Sequence, residues 1–337
     1  MTEILARAPT RIDLAGGTLD LWPISLLEEG ARTLNVAIDL EATVRITPRG
    51  DSTIRIQSLD QGAEESYRDL LDVRTDGRLG FMARLVRQFA PPSGIDLVTD
   101  CAAPAGSGLG GSSALGIAAG AALARFRGEE LPAETLLGLV QAVETQVLRV
   151  PTGVQDYYPA LLGGALALHY SVRGTRAEQL PTDLARLEER LVLCFSGVSR
   201  SSGVSNWDML KRYLDGDPVV VDGIRRVGAA TRRMEAALRR TDLDEAAEAL
   251  SQEWEARKTL SDRVSNPKIE SQMGAAREAG ALAGKVCGAG GGGCIFFLTR
   301  PGQRDEVRRA LEGQGARVLP VRLRRQGLSL QIGPNAR

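Results

Sequence analysis

The sequence lacks residues that several common functions require. It contains one histidine, His169, which excludes a centre with several histidine ligands. The 4 cysteines are scattered and form no CxxC pair, which argues against a zinc site or a disulfide framework. No apolar run approaches the ~20 residues of a membrane span, and the N-terminus has no signal-peptide pattern. Acidic and basic residues balance at 42 each, which argues against nucleic-acid or anionic-membrane partners. We therefore expect a cytoplasmic protein.

The length predicts two domains, because domains average ~150 residues and the chain has 337. Strand-like and helix-like patterns are mixed throughout. Residues 133–149 have the apolar spacing of an amphipathic helix, and residues 219–260 that of two helices. The polar segment 174–190 marks the crossing between the two parts. We place the boundary so that the parts are 1–178 and 179–337.

Glycine is abundant, at 38 residues, and it is clustered. One cluster follows a predicted strand and opens an Ala-rich segment, 112–126, that is predicted to form a buried helix. Glycines let backbone N–H groups approach an anion closely, and a helix N-terminus carries partial positive charge. The hydroxyls of Ser112 and Ser113 can coordinate Mg²⁺ or bond phosphate oxygens. The cluster therefore predicts a phosphate-binding loop, made of Pro104, Gly106, Ser107, Gly108, Leu109, Gly110, Gly111, Ser112 and Ser113.

Other interpretations of this loop compete. A Walker P-loop requires GxxxxGK[ST], and no lysine precedes Lys211, so that class is excluded. Gly106, Gly108 and Gly111 satisfy the GxGxxG pattern of dinucleotide-binding folds, with an acidic pair about 20 residues further on. Residues 128–132, which hold that pair, favour a turn between helices over the end of a strand, which disfavours this class. A glycine turn that only permits tight packing stays open.

The N-terminal segment 7–20 (RAPTRIDLAGGTLD) combines a short strand, a Gly16-Gly17 turn and Asp20. A carboxylate can accept hydrogen bonds from two neighbouring hydroxyls, and paired glycines let a substrate approach the backbone. The segment therefore predicts a polyol site. An ordinary strand and turn, with Asp20 as a helix cap, stays open.

The glycine cluster resembles the second motif of the GHMP small-molecule kinases, Pro-x-x-x-Gly-Leu-Gly-x-Ser-Ser-Ala. Gly111 stands where the family usually has serine, and Ser112 matches the serine that contacts Mg²⁺ and phosphate. The N-terminal segment resembles the sugar-kinase form of the first motif. That match implies that Arg11 lies beside the reacting hydroxyl and that Asp20 holds sugar hydroxyls at the paired glycines.

Two carboxylates acquire roles through the same resemblance. Taken alone, Glu144 resembles a surface residue of the helix 133–149, and Asp156 resembles a turn cap. GHMP kinases carry a metal-binding glutamate shortly before the catalytic aspartate, and here 12 positions separate the two residues. Glu144 would then bind Mg²⁺, and Asp156 would deprotonate the acceptor hydroxyl or act through its charge. The Gly-x-Gln-Asp pattern, with Gln155 at the substrate, is similar to bacterial heptose 7-phosphate kinases and related anomeric sugar kinases.

Two further segments resemble the family. Residues 284–294 (GKVCGAGGGGC) are similar to its third motif, which implies that Gly290 and Gly291 line the substrate site. Residues 196–202 (SGVSRSS) are similar to a segment of the heptose kinases, which implies that Arg200 contacts the substrate or its phosphate. A simple surface turn stays open for the latter.

The resemblance covers nearly the whole chain, with its motifs in the family's order. It implies an α+β fold of two domains with ATP in the cleft between them. The N-terminal domain would resemble domain 2 of ribosomal protein S5, and the C-terminal domain would be ferredoxin-like. We expect ATP- and Mg²⁺-dependent phosphorylation of a sugar or sugar phosphate at its anomeric hydroxyl, with a heptose 7-phosphate as the leading substrate. Galactose, fucose or uronic acid kinases and a mevalonate-pathway kinase or decarboxylase stay open, as does a homodimer.

Overall fold

Two long neighbouring strands at the start of the chain organise the structure. The computed structural model describes residues 2–198 and 203–333, with all their side chains except those of 203–206. Strand β1 (Glu3–Ala15) runs antiparallel to β2 (Arg32–Pro48). Their register shifts twice, and the second shift lies between Asp13 and Ala15. This irregularity lies where β1 leads into the Gly16-Gly17 turn.

Further strands extend this pair into a sheet of eight within the described chain. They are β3 (Ile54–Ser58), β4 (Ala63–Tyr67), β5 (Ile95–Cys101), β6 (Ala165–Ser171), β7 (Gly174–Gln179) and β12 (Ser329–Gly333). The order is β12-β1-β2-β5-β3-β4, while β6 pairs with the first part of β2 and β7 pairs with β6. Only β3 and β5 are parallel among these pairs.

One buried helix carries the phosphate loop against this sheet. The helices of the first part are α1 (Ile24–Leu27), α2 (Gly80–Phe89), α3 (Gly111–Phe126), α4 (Ala133–Leu148) and α5 (Tyr157–Leu162). Helix α3 packs on β1 and β2 and is buried along most of its length, as its Ala-rich sequence predicts. A Cβ on Gly116 would lie 2.5 Å from Val140 and 2.8 Å from Phe81, so glycine lets α4 and α2 approach closely.

The second part builds a four-stranded sheet in the order β11-β8-β10-β9. Its strands are β8 (Leu191–Phe195), β9 (Ala281–Val286), β10 (Cys294–Thr299) and β11 (Arg317–Leu319). Its helices are α6 (Leu184–Arg190), α7 (Gly203–Leu214), α8 (Pro218–Arg239), α9 (Leu243–Lys258), α10 (Pro267–Glu278) and α11 (Arg304–Gly313). The α8–α9 pair confirms the two helices predicted within 219–260. Helix α10 ends at Glu278, because Gly280 has a φ of 110° and β9 begins at the next residue.

The end of the described chain returns to the first sheet. Residues 329–333 form β12, which pairs with Glu3–Arg7 of β1. The predicted division assigned these residues to the second part, whereas strand pairing adds them to the first sheet, where the outer edge of β1 accepts them. The boundary at 178/179 itself stays a prediction. Among the described residues, no helix is long and apolar enough to cross a membrane.

Candidate active site

A cleft of about 450 Å³ brings together most residues that the sequence singled out. Its lining includes all nine predicted phosphate-loop residues. It also includes Arg11, Gly17, Asp20, Glu144, Gln155 and Asp156. Segments that are far apart in the sequence therefore share one cavity. Arg200 lies outside the described residues.

The phosphate loop connects β5 to α3 through a run of left-handed glycines. Gly106, Gly108 and Gly110 have φ values of 69°, 75° and 74°, a conformation that costs glycine little. Gly110 is the N-cap of α3 and has no side chain that could accept a hydrogen bond from the first N–H groups of that helix. These N–H groups are therefore available to an anion in the cleft.

The third glycine-rich segment braces this loop from behind. The Cys294 N–H donates to the carbonyl of Ser107 (2.7 Å). A Cβ on Gly108 would lie 2.4 Å from the carbonyl oxygen of Cys287, so the two backbones are in direct contact. Gly288 and Ala289 line the cleft. The third motif therefore packs directly against the second.

Gly290 and Gly291, predicted to lie at the substrate, are not among the residues that line the cleft. Gly291 donates its N–H to the carbonyl of Val264 (2.6 Å), and a Cβ on Gly290 would meet the Val264 backbone at 2.7 Å. Their conformation is thus required by contact with the turn that precedes α10. Gly16 also lies behind the cleft lining, where a Cβ would meet the carbonyl oxygen of Arg32 at 2.3 Å.

The departure from the family at Gly111 has a local cause. A Cβ at this position would lie 3.0 Å from the sulfur of Cys101, at the end of β5. The thiol therefore occupies the space that a side chain at 111 would use. Burial raises the pKa of Cys101 to about 11, so this cysteine is a packing group at neutral pH.

Arg11 and Asp156 form an ion pair in the cleft. Arg11 Nε and Nη2 lie 2.9 and 2.5 Å from Asp156 Oδ1, and Nη1 donates to the carbonyl of Gly108 (2.6 Å). Burial is the largest single influence and would lower the pKa of Arg11, but the nearby carboxylates of Asp156 and Asp13 together outweigh it and the pKa of Arg11 is raised. Both contacts use Oδ1, so Oδ2 is the oxygen available to an acceptor hydroxyl. Arg11 thereby links the phosphate loop to Asp156.

Glu144 belongs to α4, and its side chain is buried beside the first turn of α3 rather than exposed on the protein surface. Its Oε2 accepts hydrogen bonds from Ser113 (2.9 Å) and the Tyr157 hydroxyl (2.6 Å), and Ser112 also contacts the carboxylate. Burial raises the pKa of Glu144. A cation held at the loop would favour the ionised form.

These donors fit a magnesium ion. Carboxylate and hydroxyl oxygens are the ligands it prefers, and it is commonly held by one or two carboxylates together with substrate phosphates. The described residues contain no cluster of three or more His, Cys, Asp or Glu that could hold a metal ion. Glu144 and Ser112 could contribute one carboxylate and one hydroxyl to an ion that is also held by nucleotide phosphates.

Asp20 lies near Asp156 and is almost completely buried, with 7% of its surface exposed. Its Oδ1 accepts from the Thr18 N–H and its Oδ2 from the Gln155 N–H, both at 3.2 Å. Burial, together with the negative charge of Asp156, raises the pKa of Asp20 to about 6. A Cβ on Gly153 would lie 1.7 Å from Asp20 Oδ2, so only glycine fits there. The carboxylate is thus fixed beside the cleft by backbone groups.

Sequence reasoning missed a buried charge network behind this site, made of Asp13, Glu253, Arg257 and Lys285. Lys285 Nζ lies 2.7 Å from Asp13 Oδ2 and 3.5 Å from Glu253 Oε1. Arg257 pairs with Glu253 at 2.5 Å. The last pair has the i, i+4 spacing of a surface helix pair, so its position in the core leaves little trace in the sequence. A signal was available in Lys285, one of only 4 lysines and part of the third motif.

An anion-binding helix start that faces an arginine-paired carboxylate across one cleft is suited to phosphoryl transfer onto a small acceptor, and this defines the class of the enzyme. The chain belongs to the GHMP kinase family. The model of the family's N-terminal domain matches residues 78–164, and that of its C-terminal domain matches residues 234–317. The two-part α+β fold is the one that the resemblance implied, and the protein is an ATP-dependent phosphotransferase.

Relatives extend the match to the whole chain. The D-glycero-alpha-D-manno-heptose 7-phosphate kinase of Campylobacter jejuni is 28% identical over 97% of this chain and 98% of its own length. A mevalonate kinase from Thermococcus gammatolerans is 30% identical over 73% of this chain and 72% of its own. Among solved structures, a D-glycero-D-manno-heptose 1-phosphate kinase from Bacteroides thetaiotaomicron superimposes with a TM-score of 0.79. It is 26% identical and covers 97% of this chain and 98% of its own.

Proposed function

We propose that this protein phosphorylates the anomeric hydroxyl of a sugar or sugar phosphate, using ATP and Mg²⁺, and that a heptose 7-phosphate is the leading substrate. The observation that carries the proposal is the position of Asp20 and Asp156 in one cleft with the phosphate loop. One carboxylate would bind sugar hydroxyls while the other faces the hydroxyl that reacts.

The loop and the start of α3 would hold the nucleotide phosphates. N–H groups from Gly110 onward would bind phosphate oxygens, and Ser112 with Glu144 would hold the Mg²⁺. Such an ion would neutralise negative charge on the nucleotide phosphates. The Tyr157 and Ser113 hydroxyls donate to Glu144 Oε2 and so fix the carboxylate beside the loop.

Asp156 would orient the acceptor hydroxyl. Its Oδ2 can accept the hydroxyl proton, while Arg11 holds Oδ1 and fixes the carboxylate. The guanidinium of Arg11 would also place positive charge beside the transferred phosphoryl group. Positioning and charge together account for catalysis in this reaction class.

Asp20 and Gln155 would select a polyol. The Asp20 carboxylate can accept hydrogen bonds from neighbouring sugar hydroxyls, which makes it the group that distinguishes a sugar from an acceptor with few hydroxyls. The Gln155 Oε1 atom is buried and has no hydrogen-bond partner among the described residues, so it can accept a hydrogen bond from a sugar hydroxyl. The names of the heptose kinase relatives support a heptose phosphate in this position.

A mevalonate-type substrate is the second candidate, because a mevalonate kinase is among the relatives. Mevalonate carries a carboxylate, and the buried carboxylate of Asp20 would repel it. The charge of Asp20 therefore favours a sugar over mevalonate as the acceptor. The same repulsion disfavours a mevalonate-pathway decarboxylase, whose substrate is also a carboxylate.

The test is ADP release from Mg-ATP with a panel of acceptors. The panel contains D-glycero-D-manno-heptose 7-phosphate, galactose, fucose, glucuronate and mevalonate, with CO₂ release followed in parallel. We expect turnover with the heptose phosphate well above that with the others. Turnover with a free sugar alone would replace the substrate but keep the sugar kinase. Turnover with mevalonate alone would overturn the proposal.

A further inference from the structure

The buried charge network described above makes hydrogen bonds with a single turn of the candidate active site, residues 16–18. Four charged side chains, Asp13, Glu253, Arg257 and Lys285, are at most 1% exposed, and their charges sum to zero. Two lie on α9, one on β1 and one on β9. Burying a charged side chain costs free energy unless the side chain is paired and hydrogen-bonded. A buried charge network is therefore retained where its members are fully paired or where it has a function.

The network contacts both ends of the turn at residues 16–18. Arg257 Nη2 donates to the carbonyl of Gly17 (2.7 Å), and Nη1 donates to the Thr18 hydroxyl (3.2 Å). Glu253 Oε1 accepts from the Gly16 N–H (3.3 Å). Arg257 and Glu253 also bind each other, so a single ion pair makes the contacts with all three residues of the turn.

The turn has a backbone conformation that needs such support. Thr18 has a φ of 88°, a left-handed value that is costly for a β-branched residue. A Cβ on Gly17 would lie 2.4 Å from Asp13 Oδ2, so the turn also packs directly on the network. Loss of the Arg257–Glu253 ion pair would let Thr18 relax toward an ordinary conformation.

The turn in its present form places Asp20. The Thr18 N–H donates to Asp20 Oδ1 (3.2 Å), and the Leu19 and Leu21 amides donate to the carbonyls of Gly16 and Thr18. Gly17, Thr18 and Asp20 line the cleft, whereas none of the four network residues does so. The network therefore contacts the cleft-lining residues Gly17 and Thr18 through the turn, while its charges also act on Arg11 and Asp20.

We infer that Arg257, together with Glu253, is a positioning residue for the acceptor, which fixes the turn at 16–18 and through it the Asp20 carboxylate. This inference rests on the proposed function for the identity of the acceptor. The arrangement also makes α9, from the second part of the chain, a determinant of substrate geometry in the first part.

The primary variant is Arg257→Lys. Lysine keeps the positive charge for Glu253 but lacks the planar fork that reaches Gly17, Thr18 and Glu253 at once. We expect the acceptor KM to rise roughly tenfold, the usual effect of losing a hydrogen bond to a charged group, and the ATP KM to stay within about twofold.

The matched control is Arg239→Lys. Arg239 also pairs with a glutamate at i, i+4, Glu235, but on the neighbouring helix α8 and outside the cleft lining. It should leave both KM values unchanged. A change of the acceptor KM in the control as large as in Arg257→Lys would assign the effect to general helix stability and overturn the inference.

A second readout is independent of the substrate. Hydrogen exchange of the Leu19 and Leu21 amides should accelerate in Arg257→Lys, while the Ala114 amide at the start of α3 stays protected. If no acceptor on the panel is phosphorylated, the proposed function fails but this readout still decides the positioning role. Unchanged exchange at Leu19 and Leu21 would overturn it.

A neutral double variant, Glu253→Gln with Arg257→Met, covers the case in which the single variant does not fold. It removes one charge of each sign and leaves Lys285 paired with Asp13. We expect a folded protein with the same faster exchange and a raised acceptor KM. A folded double variant with wild-type exchange would contradict the inference.

Discussion

In the cleft, the loop and helix start that would hold phosphate (the phosphate end) come from one continuous segment, which other elements brace. The residues that would hold the acceptor (the acceptor end) come from segments that are far apart in the sequence. Residues 104–113 supply the loop and the helix start in a single stretch. The acceptor end combines Arg11 and Asp20 with the segment 153–156, and α9 supports it from behind. The first end therefore depends on local backbone conformation, and the second depends on contacts between elements. Variants at the two ends should separate accordingly.

The largest effect is expected for Asp156→Asn. The amide keeps the shape but cannot take up the hydroxyl proton or carry the charge that pairs with Arg11. We expect kcat to fall about 10³-fold, within the range for loss of a general base. Nucleotide affinity, measured by calorimetry, should stay within about twofold. The surface variant Asp222→Asn is the control, and retained turnover in Asp156→Asn would contradict the assigned role.

At the phosphate end, Gly108→Ala should break nucleotide binding. Its φ of 75° is strained for alanine, and the added Cβ would lie 2.4 Å from the Cys287 carbonyl oxygen. We expect the ATP KM to rise at least tenfold and stability to fall by about 1–3 kcal/mol.

The control for this variant is Gly138→Ala on α4, where an added Cβ meets nothing within 4 Å. It should stabilise the protein by about 0.5–1 kcal/mol without changing either KM. An ATP KM in Gly108→Ala equal to that of the control would remove the loop from the nucleotide site.

At the acceptor end, Gly153→Ala should raise the acceptor KM and leave the ATP KM unchanged. The new methyl group would overlap the Asp20 carboxylate, which lies 1.7 Å from that position, and displace it. We expect the acceptor KM to rise about tenfold, since a hydrogen bond to a charged group is lost, while the ATP KM stays near wild type. Steady-state kinetics with each substrate varied in turn measures both values. Equal changes in the two KM values would refute the separation of the two ends.

The smallest effect concerns stability and pH. The folded-state pKa of Asp20 is about 6, above the value near 3.9 of an unfolded chain, so ionised Asp20 destabilises the native state at pH 7. Asp20→Asn should therefore raise the free energy of unfolding by about 1–2 kcal/mol at pH 7. This gain should shrink as the pH falls through about 6 and vanish only below about pH 3, where the wild-type carboxyl is protonated in both states.

Urea denaturation at several pH values measures this gain. The same variant should weaken acceptor binding, and the acceptor KM of the wild type should rise below about pH 6. A stability difference that does not change with pH would show that the pKa of Asp20 is the same in the folded and the unfolded protein, which would contradict the raised value.

Most of the phosphate end could be predicted from the sequence, because glycines at fixed spacing before an Ala-rich helix specify its backbone directly. Helix α3 could be predicted from its Ala-rich composition. Helix α4 and the α8–α9 pair could be predicted from the apolar periodicity of their sequences. The acceptor end could be predicted only in part. Asp20 and Asp156 were found through motifs, but nothing local indicates that Arg257 reaches the turn at residue 17 across 240 positions. Gly290 and Gly291 illustrate the reverse case, where a glycine motif serves packing on Val264.

The proposed function requires that the cleft bring the anomeric hydroxyl of a sugar both to Asp156 and to the phosphate donor. The most direct test is phosphorus-31 NMR of the product formed from Mg-ATP and D-glycero-D-manno-heptose 7-phosphate by the wild-type enzyme. We predict a second phosphorus signal that is coupled to the anomeric proton, together with one ADP per product, and neither with Asp156→Asn. A phosphate on any other carbon, or an anomeric phosphate formed equally well by Asp156→Asn, would contradict the account.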